Sequence, residues 1–318
     1  MTEKVSIDEM VDGIKKRFPR ALGKLITLVE NRPEEAYDVL DKLHPMSGHA
    51  YVLGVTGALG TGKSTLTAGI AKAFRDKDLT VGIIAVDPTS PFSGGALLGD
   101  RVRMGDIIRD DGVFIRSLAT RGALGGLSRA CDGAIKVMDA YGMDIIIVET
   151  VGVGQDEIDI IKSSDACLLV LMPGMGDEIQ TLKAGVMEIA DIFVINKADF
   201  AGAERLALSI KMMLELSGIE RKWEPPVFQT ISSENKGIDE LMEGIDEFRE
   251  LQEKNALLHE RRMKRVRNHI TLLIENEILR HVNDLLRAKF PIDQLLDDVA
   301  TKRKSPYLLT REIVESLF

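Results

Sequence analysis

The chain has 318 residues, 45% of them hydrophobic, a mean hydropathy of +0.01 and a formal net charge of −9 from 41 Lys and Arg against 50 Asp and Glu. That length holds one large α/β domain with helical additions or two modest domains, and the acidic balance argues against nucleic acid or anionic membrane as a partner of the whole chain. No apolar run reaches the roughly 18 residues of a membrane span, and the polar start Met1-Thr-Glu-Lys-Val-Ser-Ile-Asp-Glu-Met lacks the form of a signal peptide, so a cytoplasmic protein is expected.

Two separated cysteines (Cys131, Cys167) and five scattered histidines make no zinc framework, and Cys167 lies in an apolar run that reads as core. Residues 6 to 43 read as helical throughout. Pro19 and Pro33 stand where first-turn prolines are tolerated, and Ala21, Leu22, Leu25, Ile26, Leu28 and Val29 form an apolar stripe between them. His44-Pro-Met-Ser-Gly48 breaks the pattern. Residues 1–47 are therefore expected to be a helical extension packed on the next domain, serving either as a packing cap or as a functional arm.

The stretch from Val52 to Thr65 organises the rest. An apolar run (Val52, Leu53, Val55) breaks into Gly57-Ala58-Leu59-Gly60-Thr61-Gly62-Lys63-Ser64-Thr65, and a helix-favouring stretch from Leu66 to Phe74 follows. Gly57-x-x-x-x-Gly62-Lys63-Ser64 between a strand and a helix is a phosphate-binding P-loop. Its glycines let backbone N–H groups turn onto phosphate oxygens, and the helix points the positive end of its dipole at the same anion. Lys63 would reach the β- and γ-phosphates and Ser64 would ligate Mg²⁺. Residues 57–65 are thus expected nucleotide contacts in a P-loop NTPase of α/β class, its sheet mostly parallel and flanked by helices.

Thr80 to Asp87 is a near-continuous apolar run ending in an acid, as in a parallel strand covered on both faces. Acids at the carboxyl end of such strands face the ligand crevice, which places Asp87 to hold Mg²⁺ or a water on it. The following segment, Thr89 to Met104, carries Gly94, Gly95 and Gly99 before Asp100, Arg101 and Arg103. It has the composition of a loop that closes on a γ-phosphate, with Asp100 able to join the metal and the arginines to meet phosphate, a partner or solvent.

A third strand, Val113 to Leu118, precedes a glycine-bearing loop and a helix over 129–141. Asp144-Ile-Ile-Ile-Val-Glu149 then puts an acid at the position of the second NTPase carboxylate, the one that senses Mg²⁺. Gly152 and Gly154 follow, and Gln155 either orients a water or, with Asp156 and Glu157, begins a helix. A fifth strand, Asp165 to Met172, leads into a glycine-rich segment. Its Asp177, Glu178, Gln180 and Lys183 read either as a relay to a partner or as a solvated helix start.

Base choice is carried by Asp191-Ile-Phe-Val-Ile-Asn196-Lys197-Ala-Asp199. A carboxylate only accepts hydrogen bonds, so Asp199 matches the ring N1–H and exocyclic amine of guanine, whereas adenine offers an unprotonated N1. Asn-Lys-x-Asp downstream of a P-loop points to GTP and GDP. Residues 227–234 form a last strand and a loop, Ser232-Ser233-Glu234, placed to put a backbone N–H on guanine O6. The P-loop domain is expected over 48–250.

From about 237 to 290 the sequence is helical, with Val266, Ile270, Ile274, Ile278, Val282 and Leu285 near helical spacing. Arg261-Arg-Met-Lys-Arg-Val-Arg267 within it lacks the interleaved aromatics of a nucleic-acid surface and reads as a solvated face or a subunit contact. Pro291 ends that helix, and short helices finish a C-terminal region expected over 251–318.

These residues resemble the GTPases associated with methylmalonyl-CoA mutase, of MeaB/ArgK/MMAA type, from about Ala21 to the C-terminal helices. The most specific pieces are Val86-Asp-Pro-Thr-Ser-Pro91, Gly94-Gly-Ala-Leu-Leu-Gly-Asp-Arg-Val-Arg-Met104 and Val148-Glu-Thr-Val-Gly-Val-Gly-Gln155. The resemblance implies a homodimeric GTPase, joined largely through its C-terminal helices, that binds an adenosylcobalamin-dependent acyl-CoA mutase. In that role it would gate cofactor loading and protect the mutase, with GTP hydrolysis as the timer. By position, the family's Mg²⁺ and switch acids fall on Asp87, Asp100 and Glu149, its guanine reader on Asp199 and its mutase-responsive switch on Met172 to Lys183. Leu59 departs from the proline common there, which bears on loop stiffness and leaves the backbone donors unchanged. Two competitors are a metal-insertion GTPase, which calls for a Cys/His cluster that the sequence lacks, and a kinase acting on a small molecule such as arginine.

Overall fold

A computed structural model of the chain describes residues 6–87, 105–119, 126–150, 163–174, 190–216 and 222–317. Its centre is β1 (Tyr51–Thr56), buried at every position. Around it stand β2 (Val81–Asp87), β3 (Val113–Ala119), β4 (Ile145–Thr150), β5 (Ala166–Leu171), β6 (Ile192–Asn196) and β7 (Val227–Thr230). The sheet runs β3-β2-β4-β1-β5-β6-β7 with every neighbouring pair parallel. Strands β4 and β5 are consecutive in the chain yet flank β1 on opposite sides. The order therefore reverses at β1, and the carboxyl ends there form the crevice in which such sheets bind ligands.

Continuous apolar runs make these strands because both faces are covered. Val52, Ile84, Val86, Ile146 and Val148 face a layer made by α1 (Ile7–Lys15), α2 (Pro19–Asn31), α3 (Pro33–Leu43) and α5 (Gly126–Tyr141). Alternate residues Leu53, Val55, Ile145, Ile147, Leu168 and Val170 face α4 (Lys63–Arg75) and α7 (Ile238–Lys254). A third cluster packs Leu169, Leu171, Phe193 and Ile195 on α6 (Ala203–Leu216). Buried polar groups fix where β1 enters. The Asp139 carboxylate accepts the N–H groups of His49 and Ala50 at 3.1 and 3.0 Å, and the Asp165 carboxylate accepts that of Val52 at 3.0 Å.

The helical stretch expected over residues 6 to 43 is three helices. It breaks at Arg17, which takes φ +54°, and at Arg32, which Pro33 forces out of the helical region. Both prolines open helices, as their missing N–H allows. The apolar stripe is fully used, since Leu22, Leu25 and Ile26 are each 0% exposed against α5 and the sheet. Ala21 approaches Gly13 and Val29 approaches Gly133 so closely that a side chain at either glycine would overlap its neighbour.

The long helix expected from 237 to 290 is likewise interrupted, at Asn255-Ala256, where Ala256 adopts φ +57°. Helix α7 runs past residue 250 to Lys254, and α8 (Leu257–Lys289) begins after the break. The chain divides into two compact units, Met1–Leu258 and His259–Phe318. The second holds most of α8 with α9 (Ile292–Ala300) and α10 (Pro306–Leu317). No residue of α8 is buried, and no helix among the described residues is long and apolar enough to cross a membrane.

The N-terminal helices are built into the same core as the sheet, so damage to them is felt across it. Leu25→Ala is expected to lower unfolding free energy by about 2–5 kcal/mol. The single tryptophan, Trp223, lies tilted against Phe248, ring centres 5.1 Å apart, on the opposite side of the sheet, and its fluorescence in a denaturant titration reads the shift. An unmoved Trp223 transition would mean that the helices unfold separately.

Candidate functional site

The sharp turn from β1 into α4 dictates two of its glycines. At Gly57 a side chain would run into the Val170 carbonyl of β5, and at Gly62, the N-cap of α4 at φ +88°, it would run into the Asn196 amide. Between them the loop is tied from within by the Thr61 hydroxyl, which donates to the Ala58 carbonyl at 3.0 Å. Lys63 is buried, and its Nζ donates to the carbonyls of Gly57 and Ala58, each at 2.8 Å. Burial pushes this ammonium down from 10.5 to about 8, a fall that the Glu149 carboxylate opposes. An anion at the head of α4 would meet helix N–H groups and this ammonium together.

Ser64, half-buried one residue on, donates its hydroxyl to Glu149 Oε1 at 2.6 Å. Glu149 is 6% exposed, next to last in β4, so two hard oxygen donors from the P-loop helix and the neighbouring strand converge on one point. That donor set suits Mg²⁺, which takes one or two protein oxygens and completes its shell with phosphate and water. Among the described residues no three His, Cys, Asp or Glu side chains gather into a metal-binding group. Asp87 closes β2 at the same edge, one step beyond the pair Val86 and Thr150.

The end of β6 is fastened to the loop. Asn196 Nδ2 donates to the Thr61 carbonyl at 2.8 Å, and Lys197, at φ +55°, extends Nζ to the Gly60 carbonyl at 2.8 Å. Asn196 Oδ1 accepts from the Ser232 N–H and hydroxyl at 3.1 and 2.7 Å and from the Thr230 hydroxyl at 3.1 Å. Asp199 is exposed beyond them. Ser233 and Glu234 are exposed on the turn Ser232–Glu234, where Lys236 pairs with Glu234 at 2.6 Å. Leu59 (76% exposed) and Thr65 also face solvent.

Residues 57–65, Glu149, Asn196, Lys197, Asp199 and 232–234 thus lie around one edge of the sheet. Asp100, Arg101, Arg103, Gln155, Asp177, Glu178, Gln180 and Lys183 lie outside the described residues. Sequence reasoning missed the part of Thr230 and the bonds from Asn196 and Lys197 to the P-loop. The bonds to the P-loop join residues more than a hundred positions apart, that from Thr230 to Asn196 spans 34, and no periodicity or spacing signals them.

Residues 22–286 match the family described as Methylmalonyl Co-A mutase-associated GTPase MeaB. The chain is 48% identical over 316 residues to a Pyrococcus abyssi protein whose name carries the word GTPase, with 97% of each chain covered. It is 34% identical to the Escherichia coli GTPase ArgK, over 89% of this chain and 88% of that one. It is 31% identical to the Mus musculus methylmalonic aciduria type A homolog, mitochondrial, over 90% and 74% respectively. Among solved structures, the crystal structure of an LAO/AO transport system kinase is similar over 100% of this chain and 99% of that one, with a TM-score of 0.73 at 28% identity.

The depressed Lys63 ammonium sets a pH dependence. A polyphosphate restores its charge, so above about 8 binding takes up a proton, and affinity falls by up to about tenfold per pH unit between 8 and 10.5. Below 8 this group contributes no slope. The nucleotide-free fold responds oppositely: in the same window the unfolded chain holds the extra proton, so rising pH stabilises the fold. Calorimetric titration of GDP at pH 7 and pH 9, in buffers of different ionisation heat, should show proton uptake only at pH 9.

Proposed function

The chain belongs to the methylmalonyl-CoA mutase-associated GTPase family, and from that premise we propose that it hydrolyses GTP to GDP and phosphate with Mg²⁺. In this reading the cycle gates adenosylcobalamin loading into an acyl-CoA mutase, methylmalonyl-CoA mutase or a relative, and protects that mutase. The observation that carries it is the fastening of Asn196 and Lys197 to the P-loop, because it ties the phosphate cradle directly to the residues that would read the base.

The division of labour follows from the side chains. Lys63 exchanges its two carbonyl partners for phosphate oxygens and, with the loop amides, stabilises the charge that develops there. Ser64 and Glu149 hold Mg²⁺, joined by Asp87 and Asp100. When bound, the metal neutralises charge on the β- and γ-phosphates. Asp199 accepts two donors from guanine, and the turn Ser232–Glu234 supplies an N–H to its O6. Gln155 orients the attacking water, while Asp177, Glu178, Gln180 and Lys183 report the nucleotide state to the mutase. Intrinsic turnover is slow because the partner completes the site.

The second unit supports a homodimer. Met263, Val266, Ile270, Ile274 and Ile278 are each about half exposed along α8, at the i, i+3 and i+4 spacing of a helix-pairing stripe. A second reading is transfer of the γ-phosphoryl to a small acceptor, favoured by the structural neighbour's description as a kinase.

Release of γ-labelled phosphate decides between these readings. The label is expected as free phosphate, faster with a cognate mutase present. Asp199→Asn should lose at least about tenfold in GTP preference while gaining for xanthosine triphosphate, whose C2 carbonyl accepts where guanine donates. Label on an organic acceptor, or an unchanged base preference, would overturn the proposal. For the dimer, light scattering should give twice the chain mass for wild type and a monomer for Ile270→Lys with Ile274→Lys.

A further inference from the structure

Strand β4 carries Glu149, and β1 leads through the P-loop to Ser64 at the head of α4, the two residues proposed to hold the cation. The backbone register of β1 and β4 runs from Tyr51 opposite Ile145 to Val55 opposite Glu149 and stops there. One residue farther, the Thr150 hydroxyl donates to the Thr56 hydroxyl at 2.9 Å, both residues being buried at 0% and 2% exposure. A side-chain bond thus continues the pairing past the end of the ladder. It sits where position matters most, since Thr56 precedes Gly57 and Thr150 follows Glu149.

Strand alternation turns Thr56 and Thr150 to the face of Val52, Ile146 and Val148, away from the face of α4. Both hydroxyls thus lie on the face opposite α4, and each bears on Ser64 and Glu149 through the backbone it holds. On its other side Thr150 pairs with Val86, one residue before Asp87, so the same point bears on a third strand end.

We propose that the Thr150 hydroxyl is a positioning group for the metal: bonded to Thr56, it holds the ends of β1 and β4 together so that Ser64 and Glu149 offer their oxygens to one cation. Release of the bond lets the P-loop and β4 ends part, and the 2.6 Å approach of Ser64 to Glu149 loosens with it. Outer groups that aim metal ligands are worth about 10–100-fold in metal affinity.

The inference rests on the GTPase reading above, and the experiment separates the two. Mn²⁺ binding to the GDP complex is followed by electron paramagnetic resonance, which needs no turnover. Thr150→Val and Thr56→Val are each expected to weaken Mn²⁺ binding by about tenfold, and to raise the Mg²⁺ needed for half-maximal hydrolysis alike. GDP affinity in EDTA should change less than about twofold, and Thr150→Ser should restore the metal affinity. The double valine variant should match either single, because one bond is lost once. It should also stay folded, since replacing both partners by apolar groups of like shape is nearly neutral. Wild-type Mn²⁺ affinity in both single variants, effects that multiply in the double, or an equal loss of GDP affinity in EDTA would overturn the role. Failure of the wild type to hydrolyse GTP would instead sink the earlier reading and leave the Mn²⁺ ratios to judge the bridge.

Discussion

The amide of Asn196 is the point on which the site depends. A P-loop is built of backbone, and beside the ties within it from Thr61 and Lys63, contacts from outside restrain the carbonyls of Gly60 and Thr61. Asn196 does so by donating to Thr61 while its oxygen gathers Thr230 and Ser232, and Lys197 adds a second tie at Gly60. The same contact explains why Gly62 must lack a side chain, since the amide occupies that space. One carboxamide thereby couples the loop after β1 to those after β6 and β7.

Beneath this polar edge the sheet supplies rigidity through burial on both faces. The N-terminal helices extend the layer that α5 begins, and Arg116 of β3 reaches out to Glu30 and Thr27 of α2 at 2.7 and 3.1 Å. The edge strand is thus held from the side as well as from within the ladder. Deeper in, the Tyr51 hydroxyl donates to Gln252, whose amide donates to the Asp165 carbonyl, joining α7 to the start of β1. Strand ends anchored at both faces can hold side chains on loops to hydrogen-bond tolerance.

Electrostatics makes the site receptive. Lys63 is kept in a buried place that penalises its charge, satisfied meanwhile by two carbonyls that a phosphate can replace. Part of the cost of desolvating the cation is thus met in folding, before any ligand arrives. Ser64 and Glu149 are likewise already in contact across the α4 and β4 boundary.

Much of this was legible in the sequence because it is local. Strand-length apolar runs ending in Asp87, Glu149 and Asn196, the glycine spacing of the P-loop, and prolines at the heads of α2 and α3 each state their structure within a dozen residues. Breaks in otherwise helical stretches were less readable: Ala256 sits at φ +57° although nothing in its composition asks for it. What only the tertiary structure decided is which distant groups meet. The order that flanks β1 with β4 and β5, the bond from Asn196 to Thr61, and the hydroxyl pair of Thr56 and Thr150 all arise from strands far apart in the chain. The physical reason is that chain periodicity encodes which face of an element is buried, whereas the partner across that face is chosen by sheet order and register, which emerge only when all strands pack together.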